Sequence, residues 1–153
     1  MADKPQYVTL EVADELFAAP IERVQEILDV CPISKLPRTP PNLLGMIDVR
    51  GEGTPVFDLR TTLDMPAREN TVNTRILVLF LSAGDRDIRI GLRADRVIEV
   101  TAFDEEDLDP PPNMGRSAAA TAIVGIGRRN GKFVTVLDLD HLLAEDMDTI
   151  KAA

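Results

Sequence analysis

The chain has 153 residues, enough for one domain or for two small halves sharing a core, since units of about 70 residues bury little surface alone. A composition of 44% hydrophobic and 28% charged residues is that of an ordinary globular protein and argues against disorder over most of the length. The formal charge of −9, without any basic run, disfavours a nucleic-acid backbone or an anionic membrane surface as partner.

The opening MADKPQ is polar and contains no signal-peptide core. Val8, Leu10 and Val12 then alternate with Thr9 and Glu11, the two-residue period of a half-buried strand. Ala13-Asp14-Glu15 turns the chain into Leu16-Phe17-Ala18, which predicts an opening hairpin. The stretch from Pro20 to Val30 has two readings. Ile21, Val24, Gln25 and Leu28 fit one face of a helix; as a strand, Val24 and Glu26 share one face and Gln25 and Ile27 the other. Cys31 is the only cysteine, so neither an intrachain disulfide nor a thiolate metal cluster can form, and its apolar setting reads as an inert buried thiol.

Four prolines between Pro32 and Pro41 mark a connector. Asn42 to Gly45 is expected to form one helical turn and Met46 to Val49 a strand. Arg50-Gly51 is then a turn, and Pro55 to Leu59 a strand leading into a short helix capped by Asp58. Met65 to Asn73 is a polar joining loop. Ile76 to Leu81 is continuously apolar, as in a central strand buried on both faces, and is far too short to span a membrane. Ser82 to Asp87 supplies turn residues, after which Ile88, Ile90 and Leu92 alternate with Arg89 and Arg93.

Asp104 to Asp109 lacks the ligand spacing and tight glycine turn of a calcium loop and reads as solvated surface, followed by Pro110 to Pro112 and the small, flexible run Gly115 to Thr121. Phe133, Val134, Val136 and Leu137 predict a last strand, and Asp138 to Met147 a helix with Leu139, Leu142 and Leu143 facing inward. Many short, turn-punctuated strands with only short helices predict a mainly β protein, read as two small barrels.

The chain also repeats itself. Gly45, Gly51, Val56, Asp58, Leu59 and Leu63 recur 80 residues later as Gly125, Gly131, Val136, Asp138, Leu139 and Leu143. Arg23, Val24, Glu26 and Ile27 are matched 73 residues later by Arg96, Val97, Glu99 and Val100. Two units are too few for a solenoid and point to one fold unit used twice.

Catalytic patterns are weak. The single histidine, His141, has no accompanying Ser or Cys motif, and one histidine with one cysteine argues against a zinc site. Gly51-Glu52-Gly53 and Gly125-Ile126-Gly127 lack the later glycine and the Lys-Ser/Thr of nucleotide loops. Interaction surfaces remain. Arg50, at a glycine-bounded turn, either clamps a partner or braces its own loop through Asp48 or Asp58. Glu26, on an otherwise apolar strand, is either a groove edge or an outward-facing strand residue.

Taken together, the opening strand Tyr7 to Val12, Val24-Gln25-Glu26-Ile27, Leu36-Pro37, Gly45, Arg50-Gly51 and Pro55-Val56-Phe57-Asp58-Leu59 resemble the CheW family, the adaptor proteins of bacterial chemosensory arrays. Gly91-Leu92, Asp95-Arg96-Val97, Pro110 to Pro112, Val136-Leu137-Asp138 and Leu142-Leu143 extend the resemblance over nearly the whole chain. It implies one domain built of two SH3-like five-stranded β-barrels around a shared core, with approximate halves 16–72 and 7–15 plus 73–145. It also implies a short turn near Ile21 and a strand through Val24 to Ile27.

Functionally, the resemblance implies a non-catalytic, cytoplasmic protein without cofactor or metal. Such a protein links chemoreceptor signalling tips to the regulatory domain of a CheA-type histidine kinase. Val24, Glu26, Arg50, Gly51, Val97 and Val100 fall where the family meets its partners, with a receptor helix laid into an apolar groove. The polar run Glu52-Gly53-Thr54, with Asp48, Ala18 and Arg93, departs from the family pattern and suggests an adaptor of a pathway other than flagellar chemotaxis. A regulatory module detached from a kinase or receiver fusion is the alternative.

Overall fold

The computed structural model describes residues 4–111 and 122–147. Strand β1 (Tyr7–Val12) and strand β2 (Glu15–Pro20) form the expected hairpin, with Ala13 and Asp14 both at positive φ (52° and 65°), the two-residue turn that matches strand twist. A 3₁₀ turn at Ile21–Arg23 then leads into β3 (Val24–Asp29), which decides between helix and strand for this stretch. The expected helical turn over Asn42 to Gly45 is absent. Leu43 already pairs with Phe57, so β4 (Leu43–Val49) begins there and runs against β5 (Glu52–Asp58).

Helix α1 (Leu59–Thr62) follows, then β6 (Arg75–Ala83), β7 (Arg86–Ala94), β8 (Arg96–Thr101), β9 (Ile123–Arg129), β10 (Lys132–Leu137) and α2 (Leu139–Leu142). The expected terminal helix is interrupted at Leu143, with helical residues resuming at 144–147. Asp58, expected to cap α1, does not: its carboxylate turns to the Thr61 hydroxyl and to Arg93, whereas Asp138, its counterpart in the repeat, accepts from the His141 N–H at 3.1 Å. Pro112 and the run Gly115 to Thr121 lie outside the described residues.

The strands form two five-stranded sheets, in the orders β8-β1-β2-β10-β9 and β3-β6-β7-β5-β4. Sheet membership therefore changes at the 3₁₀ turn and again at Asp95. This division differs from halves of 16–72 and 7–15 plus 73–145, because β2 stays with β1, and the β6–β7 hairpin pairs both with β3 and, in parallel, with β5.

The repeat is visible in the backbone. Ser34 and Met46 exchange two hydrogen bonds of 2.8 Å, and Asp109 and Ile126 exchange two of 2.8 and 2.9 Å. Each is a single bridge across the gap between the outer strands of a sheet, so the sheets curl into SH3-like subdomains without a sealed ladder. Gly45 sits at the first seam with φ 145°, and a Cβ there would collide with the Ser34 carbonyl, so only glycine lets the two backbones meet. Likewise Asp58 N–H donates to Asn42 O and Asp138 N–H to Ala122 O, both at 2.7 Å.

Three cores follow from these faces. The largest is shared: Val8, Leu10 and Val12 of one sheet meet Leu77, Leu79, Leu81 and Leu92 of the other, capped by Leu139, Leu142 and Leu143. Ile47, Val49, Val56, Ile76 and Val78 fill one barrel. Ala18, Phe103, Val134 and Val136 fill the second, where the Tyr7 and Phe103 rings stack at 4.4 Å. β6 thus feeds one core from each face, which explains its uninterrupted apolar run.

Candidate partner-binding site

β3 and β8 are the outer strands of their respective sheets, and both carry a bulge at the same place in the repeat. Val24 pairs with Leu79 and Glu26 with Val78, leaving Gln25 as the extra residue; Val97 pairs with Leu10 and Glu99 with Thr9, leaving Ile98. The bulge breaks the two-residue alternation. Val24 and Glu26, expected on one face, therefore lie on opposite faces. Val24 shares the face of Leu79 and packs on the shared core, whereas Glu26 shares that of Val78 and points to the mouth of the first barrel.

At that mouth Glu26 meets Arg50. The β4–β5 turn places Arg50 at φ 53° and Gly51 at φ 86°, and the Gly51 N–H donates to Asp48 Oδ1 at 2.7 Å. Asp48 thus braces the turn through its glycine. Arg50 itself makes an ion pair with neither Asp48 nor Asp58; its guanidinium lies 2.8 Å from Glu26 Oε2, off the hydrogen-bond direction. Arg50 is 73% exposed and Glu26 only 21%, so the pair is a solvent-facing cation laid over a mostly buried carboxylate. Two residues read separately in the sequence form one feature.

Arg89 completes the mouth, donating to Gln25 Oε1 at 3.4 Å and pairing with Glu52. The polar run Glu52-Gly53-Thr54 is accordingly held in place, with Thr54 buried and its hydroxyl donating to Glu52 O at 3.3 Å. The second barrel repeats the device, with Arg129 pairing with Glu99 at 3.1 Å beside a cleft of about 290 Å³ lined by Leu16, Ile98, Lys132 and Val134. The sequence repeat aligned Glu99 with Glu26, and that was the available signal for this second pair.

Val97 packs against the shared core and Val100 pairs with Val8 on the same face of β8, where it is 49% exposed. On β3 the repeat-equivalent of Val100 is Ile27, paired with Leu77 and 41% exposed. Each outer strand therefore shows a half-buried valine followed by an exposed apolar side chain on the face toward the shared core. Ile27 belongs with the candidate residues, although sequence reading assigned it no site role.

Both strands leave structured corners. Arg23, just before β3, donates to Asp140 Oδ2 at 2.7 Å and to the Ser82 hydroxyl at 3.1 Å, while the Ser82 N–H donates to Asp140 Oδ1 at 2.8 Å. Asp95, just before β8, accepts from Arg60 at 2.8–3.0 Å and from the Ala13 N–H at 3.0 Å. Burial alone would raise the Asp95 carboxyl, but the Arg60 and Ala13 donors and the nearby Arg68 outweigh it and hold it below the ordinary carboxylate value.

A family model for the CheW-like domain matches residues 6–147, and the shared core, both sheets and both ion-paired mouths lie inside that span. The chain belongs to the CheW family. It is 30% identical to the chemotaxis protein CheW of Helicobacter pylori over 92% of this chain and 82% of that protein. It is also 29% identical to protein FrzA of Myxococcus xanthus, over 90% and 84% of the two chains. The scaffolding protein TtCheW of Thermoanaerobacter tengcongensis superimposes with a TM-score of 0.80 at 28% identity, covering 92% of this chain and 93% of that one. CheW membership accounts for the paired SH3-like subdomains, and places the chain in a family of chemotaxis and scaffolding proteins.

Proposed function

We propose that this CheW-family chain is a non-catalytic, cytoplasmic adaptor that joins the helical signalling tip of a chemoreceptor to the regulatory domain of a CheA-type histidine kinase. The supporting observation is the pairing, on outer strand β3, of an apolar face (Val24, Ile27) with the Glu26–Arg50 ion pair at the adjacent barrel mouth. An amphipathic receptor helix would bury its apolar stripe on such a surface, with the ion pair setting register. Val97 and Val100 offer the equivalent surface on β8, and Gly51 holds the turn that presents Arg50. Among the described residues no helix is long and apolar enough to cross a membrane, so contact with a receptor would be made outside the bilayer.

The test is binding of the purified chain to a receptor-tip fragment and, separately, to a kinase regulatory domain from the same source. Binding to both is the expected result. Binding to neither by a folded sample would overturn the reading.

A further inference from the structure

The two outer strands begin at corners that hold one half of the molecule to the other. At the start of β3, Asp140 on α2 receives the Arg23 guanidinium and the Ser82 N–H at the tip of the β6–β7 hairpin; Arg23 also reaches the Phe80 carbonyl at 3.4 Å. At the start of β8, Asp95 receives the Arg60 guanidinium of α1 and the Ala13 N–H at the tip of the β1–β2 hairpin. Arg60 and Asp140 occupy equivalent positions in the 80-residue repeat, yet their charges are opposite. The same clasp is therefore built twice, with acid and base exchanged between helix and corner.

We infer that these clasps are positioning devices for partner binding, with Arg23, Asp140, Arg60 and Asp95 as positioning residues that touch no partner. The inference rests on the adaptor reading given above and extends it to residues away from the binding face. Arg23 directly precedes Val24, and Asp95 stands two residues before Val97, so each clasp fixes where its strand leaves the shared core. An outer strand has a ladder neighbour on one side only, so its other restraint is the corner that launches it. Buried or half-buried charge-assisted bonds are strong enough to serve, unlike the exposed Asp29–Arg75 pair at the far end of β3, where Asp29 is 91% exposed.

The experiment uses the full chain and the variants Asp140→Asn, Asp29→Asn, Glu26→Gln and the double Asp140→Asn/Glu26→Gln. Asp140→Asn keeps an oxygen for the Ser82 N–H but removes the charge that holds Arg23. Amide hydrogen exchange at residues 24–29 should quicken about tenfold in Asp140→Asn, with the β4–β5 hairpin unchanged, and stay at the wild-type rate in Asp29→Asn. Unchanged exchange in β3, or an equal rise across both sheets, would overturn the positioning role.

Affinity for the receptor-tip fragment should fall several-fold in Asp140→Asn, and by a much smaller factor when Glu26 is already Gln, because the clasp acts through β3. Factors that simply multiply would overturn the inference. If the wild-type chain binds no tip, the adaptor reading falls, while the exchange measurement still decides whether the clasp positions β3.

Discussion

Arg50 occupies a backbone position that its side chain does nothing to favour. In the second half the corresponding turn residue is Asn130, also at φ 53°, and asparagine tolerates the left-handed region better than arginine does. The ion pair with Glu26 recovers little of that cost, since a pair whose cation is so exposed contributes at most about 1 kcal/mol. On the adaptor reading proposed above, Arg50 is kept for what it presents outward. Arg50→Asn should leave thermal stability unchanged or raise it by up to about 1 kcal/mol while weakening receptor-tip or kinase-domain binding, read by calorimetry on the same samples. A variant that loses stability and keeps both affinities would make Arg50 a structural residue.

Among the elements, the junction of β5, α1 and β7 is organised by Arg93. Its guanidinium faces Asp58, whose side chain is 2% exposed, and it also donates to Asn70 Oδ1 at 3.1 Å and to Arg68 O at 3.2 Å. One arginine thus neutralises a buried carboxylate and pins the loop between α1 and β6. Arg93→Leu should destabilise the fold by about 3 kcal/mol, because it leaves Asp58 buried and unpaired, and Asp58→Asn/Arg93→Leu should recover part of the loss. Denaturant midpoints of the two variants check this; equal losses would place the cost in the loop contacts instead.

β1, β2, β6 and β7 follow from alternation or from an unbroken apolar run, and the duplicated glycines and aspartates marked both copies of the hairpin that leads to a helix. Alternation failed in β3 because a bulge residue is indistinguishable in composition from its neighbours: Val-Gln-Glu reads as in-out-in until the partner strand skips Gln25. The residues of the candidate site could be named from the sequence, but their pairing could not. Nothing local says that Glu26 meets Arg50, since the contact arises from the curl of the sheet, which brings the β4–β5 turn round to the opposite outer strand.

For the molecule as a whole, the largest core belongs to neither half. Leu10 and Val12 share one cluster of buried side chains with Leu79 and Leu92 of the other sheet, so the halves should unfold in one transition. A scanning calorimetry trace in which the calorimetric and van't Hoff enthalpies agree is expected, and two resolved transitions would contradict it. Acid should act through the clasp at Asp95. A carboxyl held below its ordinary value of about 3.9 gives stability that is present above that pH and is lost as pH falls through the lower, folded value. Asp95→Asn should therefore flatten the fall in melting temperature below about pH 4, measured against the parent chain.

The order of the strands also has a consequence in time. One sheet is drawn from a continuous stretch, Val24 to Ala94, whereas the other places the first hairpin in its middle and completes it with strands ending at Leu137. During synthesis at about 10 residues per second, β1 and β2 must wait on the order of ten seconds for both of their outer neighbours to emerge. Both hairpin edges stay unpaired until Thr101 has been made, and the β2 edge until Leu137, so Val8, Leu10 and Val12 sit in an unfinished sheet for the whole of that interval. A nascent chain of this fold is thus most open to mispairing with its neighbours on a polysome, and to chaperones that recognise extended apolar segments, before its last third is made.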